Sequence, residues 1–186
     1  MEAVSSAALW GRVALGAVLV ACTPAFVFAP LRGDETVMSF PLHGVWLAFH
    51  EAGHLLFGLF GRTLGVAGGT LMQWLMPVAV MVSFARRLDP FGVAIGAWGL
   101  GASVLDAAPY LFDASLGEQP LLGGVFGAEH PEVHDWMVML RWVGAQNHAQ
   151  LLAKVMHVAG ALVMVGAIAL GAWALKQMRV DPDRVF

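Results

Sequence analysis

Long apolar runs separated by short polar breaks dominate the chain. They fall at about 8 to 29, 40 to 61, 64 to 85, 90 to 112 and 155 to 175. Each reaches the roughly 20 residues that a helix needs to cross a hydrocarbon layer about 30 Å thick, so five membrane-spanning helices are predicted. Only residues 61–63 separate the second run from the third, and only 86–89 the third from the fourth. Breaks that short make these helices antiparallel neighbours. Small residues at helical spacing, as in Gly61/Gly65, Gly65/Gly69, Gly92/Gly96 and Ala97/Gly101, suit close helix approach.

Residues 113–154 depart from this pattern. They carry acidic residues and histidines, among them Glu118, His130, Glu132, His134, Asp135 and His148, and read as an extramembrane or re-entrant excursion. Within 133–154, apolar residues such as Met137, Leu140 and Leu151 recur loosely at helical spacing, which predicts an interfacial helix. The expected fold is a single all-α membrane domain over residues 1–186: a polytopic helical bundle of about five transmembrane helices plus that interfacial helix.

Composition sharpens the class. With 59% hydrophobic and 12% charged residues, the chain has about half the charge of an ordinary soluble domain and cannot cover a water-facing surface. A net charge of −3 leaves no basic face for neutralising phosphates, so no nucleic-acid partner is expected. The single cysteine, Cys22, excludes an internal disulfide. Val27-Phe28-Ala29 has the small-residue look of a signal cleavage site, but the stretch before the first run is poor in positive charge and carries Glu2. Arg32, Arg86, Arg87, Lys176, Arg179 and Arg184 fall on one side of a five-span chain, which favours a cytoplasmic C-terminus in a bacterial inner membrane.

The second run holds the candidate chemistry. It contains His50-Glu51-Ala-Gly-His54. Residues four apart share a helix face, so His50 and His54 can offer two imidazole nitrogens to one metal ion. Glu51 then stands beside the ion, where a carboxylate can take a proton from an attacking water. The motif sits near mid-span, where an isolated charge costs about 2.5 to 3.5 kcal/mol on insertion scales, so Glu51 demands a metal or hydrogen-bonded compensation. Two other readings remain: a metal-free polar interface, and an axial histidine to haem or chlorophyll, which a glutamate between the two imidazoles fits poorly.

A catalytic zinc site needs a third protein ligand and one open position. Asp106 is the first candidate, because the fourth run is parallel to the second and sets it at comparable depth. Asp113, further along the same face, and His134, on an excursion able to fold back over the site, are alternatives as ligand or supporting group.

At these residues the chain resembles the site-2 protease family of intramembrane zinc metalloproteases. His50, Glu51 and His54 match that family's first motif. The family's later-span aspartate corresponds to Asp106, here followed by Ala107 where the family carries glycine. The chain is also similar to small bacterial membrane proteins related to that family. The shared segments are His50-Glu-Ala-Gly-His54, Gly68-Gly69-Thr70-Leu-x-Gln73, Tyr110-x-x-Asp113-Ala114, Pro120-Leu-Leu-Gly-Gly and His134-Asp135-Trp136, covering residues 50 to about 136. The resemblance implies a zinc-dependent endopeptidase acting on a transmembrane peptide. It also implies that Gly69 and Gln73 lie where an extended substrate strand could contact them, while plain packing through small residues is the competing account. The alternative function is a non-catalytic accessory subunit of a larger membrane complex, held there by lipid-facing and partner-facing aromatic surface.

Overall fold

The computed structural model describes residues 4–32 and 41–178. Their α-helices are α1 (Ser6–Val27), α2 (Pro41–Gly58), α3 (Arg62–Arg86), α4 (Pro90–Asp113), α5 (Asp135–Trp142) and α6 (Ala149–Gln177), the last preceded by a 3-10 turn at Gln146–His148. No strand forms among the described residues apart from isolated bridging, as between Pro120 and Phe126. Phe40, Glu2, Arg179 and Arg184, which entered the reading of spans and orientation, lie outside the described residues.

Helix starts follow from local chemistry. Ser5 caps α1 by accepting the Ala8 N–H at 3.2 Å. Asp89 caps α4 by accepting from the N–H groups of Phe91 and Gly92, both at 3.1 Å, and Pro90 presets the first helical φ. The same carboxylate receives both arms of the Arg12 guanidinium at 3.0 Å, which ties α1 to the start of α4.

α4 is the axis of the bundle and the most buried helix. α3 packs on one side of it and α6 on the other; α2 lies against α3, and α1 leans on α6 and α4. Small residues set these distances. A methyl added at Gly101 would stand 2.9 Å from the Gly160 carbonyl oxygen, and one at Gly68 would stand 2.6 Å from that of Gly53, so α4 meets α6 and α2 meets α3 backbone to backbone. Larger groups fill the space above. The Trp98 indole N–H donates to the Thr23 hydroxyl at 2.9 Å, and the Phe26 ring meets Trp98 edge-on at 5.8 Å.

Four described helical segments are long and apolar enough to cross a membrane: α1, α3, α4 and Gln146–Gln177. The fifth expected span is helical as α2 but falls short of that apolar standard. Its 18 residues include His43, His50, Glu51 and His54, which lower its hydropathy. The single interfacial helix expected over 133–154 is two pieces instead. α5 stops at Trp142, Gly144 takes φ of +67°, and α6 begins at Ala149, drawing the end of the excursion into the last span. No break opens at Gly68–Gly69; α3 is continuous through it.

The excursion folds back from the end of α4. Gly117 N–H and Leu116 N–H close on the Asp113 carbonyl, and the Asp113 carboxylate accepts the Glu118 N–H at 2.8 Å. Leu121 and Val125 then pair across a tight turn at Gly123 and Gly124, whose φ angles of +94° and +79° only glycine adopts freely. α5 packs against α3, and Asp135 at its start reaches His50 and His54 of α2.

Candidate metal centre

His43, His50 and His54 occupy one stripe of α2, at intervals of seven and four residues. That stripe faces a cavity of about 690 Å³ closed by α4, Gln73 of α3 and the folded-back excursion. Glu51, half-buried, lines the same cavity, as do Asp106, Tyr110 and Asp135.

At the His50 end three donor atoms converge. His50 Nε2 lies 2.9 Å and His54 Nε2 3.1 Å from Asp135 Oδ2, and the two rings meet edge-on with centroids 4.8 Å apart. One ligand atom from each residue fits within 4.8 Å of the others, so His50, His54 and Asp135 can hold a metal ion. Asp135 is brought there by the cap at the start of α5, where His134 Nδ1 accepts the Met137 N–H. The carboxylate is desolvated, which by itself pushes its pKa up. The two imidazoles more than offset this and hold it below the usual carboxylate range, so it carries its charge at neutral pH.

The outer nitrogens of both rings are already engaged. His54 Nδ1 donates to the Gly65 carbonyl at 2.8 Å, since a carbonyl can only accept. His50 Nδ1 faces Gln73 Oε1 at 3.3 Å. The Gln73 amide nitrogen is turned the other way, donating to Asp106 Oδ2 at 3.1 Å and to the Ser103 carbonyl at 3.3 Å, so its oxygen is what meets His50. With Nδ1 holding the proton, a neutral ring presents its Nε2 lone pair to the Asp135 carboxylate. Lone pairs facing an anion at 3 Å repel unless a proton or a cation lies between them. Two imidazole nitrogens and a carboxylate oxygen, with outer hydrogen bonds to both rings, make a group that could hold a metal ion.

The structure places the expected residues differently from one another. His50 and His54 share the cluster, and Glu51 shares its cavity. Asp106 is not part of that group: its Oδ1 pairs with His43 Nδ1 at 2.9 Å and its Oδ2 accepts from the Gln73 amide, so each oxygen has a partner on another helix. The carboxylate that meets the two imidazoles is Asp135, which the sequence placed in the polar excursion without naming it as a ligand. Asp113 and His134 pair with each other, Oδ2 to Nε2 at 3.5 Å, both fully buried. His134 stacks on Tyr110 at 4.2 Å, and Tyr110 Oη accepts the Asp135 N–H at 3.0 Å. Asp113 and His134 thus stand behind the third donor instead of supplying it.

Gly69 and Gln73 also have a defined place. A methyl on Gly69 would lie 2.5 Å from His50 Nε2, so the bare backbone of α3 makes room for that ring. Gln73 is buried beneath His50. Both stand against the imidazole, and Gln73 also lines the cavity. His43 was not singled out from the sequence, although its seven-residue spacing from His50 was a usable signal. The chain matches no family model, no curated protein and no solved structure.

Proposed function

We propose that this chain is an integral membrane, zinc-dependent endopeptidase of site-2 protease type that hydrolyses a peptide bond within or beside the bilayer. Four helices long and apolar enough to cross a membrane support the location. The observation that carries the chemistry is the convergence of His50 Nε2, His54 Nε2 and Asp135 Oδ2 in a cavity that Glu51 also lines.

His50, His54 and Asp135 would hold the zinc ion, which would supply Lewis acidity toward the scissile carbonyl and a water acidified to near neutral pH. The protein supplies the remainder. Glu51, one residue from His50 and three from His54, takes the proton that water gives up and passes it to the departing amine nitrogen. Gly65 and Gln73 hold the two rings in one tautomer, so both Nε2 atoms stay available. The cavity walls from α2, α4 and the 119–125 segment frame the space in which the reacting bond would lie. A helical substrate must unwind before entering, because its own hydrogen bonds shield its carbonyls.

The test is Glu51→Gln in the full chain purified in detergent. Zinc should stay bound while peptide hydrolysis falls by roughly 100- to 10,000-fold, the contribution of a general base. Unchanged hydrolysis would end the mechanism. Purification without zinc, in fixed stoichiometry with other membrane subunits, would favour the accessory-subunit reading.

A further inference from the structure

Tyr110 is the chain's one tyrosine, and the mechanism above leaves it unused. It stands near the end of α4, its ring stacked on His134 and edge-on to His50 at 6.1 Å between centroids. Its Oη accepts the Asp135 backbone N–H. A phenol has one proton to donate besides its lone pairs, and no described group accepts it. With the Asp135 N–H on one side of the oxygen, the O–H points to the other, and Tyr110 lines the cavity there.

The neighbouring groups show what that proton is for. His50 and His54 have committed their Nδ1 protons to Gln73 and Gly65, and Glu51 and Asp135 are acceptors when charged. None of the cavity-lining residues is a lysine or arginine. At the end of the cavity where the three donors converge, the Tyr110 hydroxyl is therefore the remaining hydrogen-bond donor, and an uncharged one that suits an apolar surround.

We propose that Tyr110 is a catalytic residue whose hydroxyl donates a hydrogen bond to the carbonyl oxygen of the scissile peptide. This rests on the hydrolytic reading given above. As water adds to the carbonyl carbon, a C–O bond forms, the carbonyl oxygen becomes anionic, and the proton released goes to Glu51. When the C–N bond breaks, that proton reaches the amine nitrogen. The Tyr110 O–H bond stays intact throughout; it stabilises the oxygen at the stage when its charge is greatest, which is where a fixed donor contributes most.

The experiment separates this role from support of Asp135. The full chain in detergent is loaded with zinc, its zinc affinity is measured by chelator competition, and it is then titrated with acetohydroxamate, whose oxygens imitate the anionic carbonyl oxygen. Two variants are compared: replacement of Tyr110 by O-methyltyrosine, which keeps the oxygen that accepts from Asp135 and exchanges its proton for a methyl group, and Tyr110→Phe, which removes the donor without adding bulk. The O-methyl variant should retain the zinc affinity of the unaltered protein and bind acetohydroxamate roughly 10- to 100-fold more weakly, the worth of one hydrogen bond to a charged acceptor. Tyr110→Phe should weaken the probe at least as much. Unchanged acetohydroxamate binding in the O-methyl variant overturns the proposal, as does loss of zinc there, which would assign Tyr110 to positioning alone. If the unaltered protein binds no zinc, the zinc hydrolase reading itself fails, an outcome distinct from either of those.

Discussion

Two aspartates each meet a histidine of α2 at 2.9 Å, and the resemblance ends there. Asp106 meets His43 through Nδ1, and its other oxygen takes the Gln73 amide; every contact has a hydrogen to share. Asp135 meets His50 and His54 through Nε2, while the Nδ1 protons of both rings are spent elsewhere. The first arrangement is complete as it stands. The second is complete only with a proton or a metal cation between its nitrogens and the anion. What distinguishes a structural pair from a ligand set is thus which nitrogen is still free, and neither burial nor depth in the bundle decides it.

The largest effect that tests this contrast is on zinc affinity. Asp135→Ala should cost well over the roughly 100-fold typical of losing an outer partner, whereas Asp106→Ala, one hydrogen bond further out, should cost no more than about that. Equal losses measured by chelator competition, or the reverse order, would erase the distinction. A middle-sized effect belongs to the groups that aim His50. Gln73→Leu and Gly69→Ala should each weaken zinc by roughly 10- to 100-fold. Alanine favours a helix interior over glycine by about 1 kcal/mol, so a loss at Gly69 can come only from the clash with the ring. Asp106→Asn should have the smallest consequence for zinc. It leaves His43 and Gln73 with a poorer acceptor and should lower thermal stability of the metal-free protein by about 1 to 3 kcal/mol.

Much of the bundle was legible from apolar run length: the helices over residues 6–27, 62–86, 90–113 and 149–177 sit within a few residues of the expected runs, apart from the earlier start of the last. The shared face of His50 and His54 was legible too, because four-residue spacing is a property of the helix itself. The third donor was not. Asp106 attracted attention because its depth in the fourth run matches that of the histidines in the second, yet depth says nothing about whether a metal or another histidine meets the carboxylate. His43, two turns before His50, does so here. Asp135 sits in a segment whose path is set by turns at Gly117, Gly123 and Gly124 and by buried polar contacts among Tyr110, Asp113 and His134, none of which leaves a periodic trace. Gly69 and Gln73 were noticed for a different reason from the one the structure gives, since a glycine beneath a ring and a glycine at a substrate edge look alike in one dimension.

The third donor is separated from the first by 85 positions, and α3 and α4 are made between them. During synthesis, therefore, the ribosome releases the histidine pair and its neighbouring acid long before their partner exists. A nascent polypeptide truncated anywhere up to α4 carries His50, Glu51 and His54 without Asp135, so the three-residue cluster cannot assemble until the loop beyond that helix has emerged and folded home.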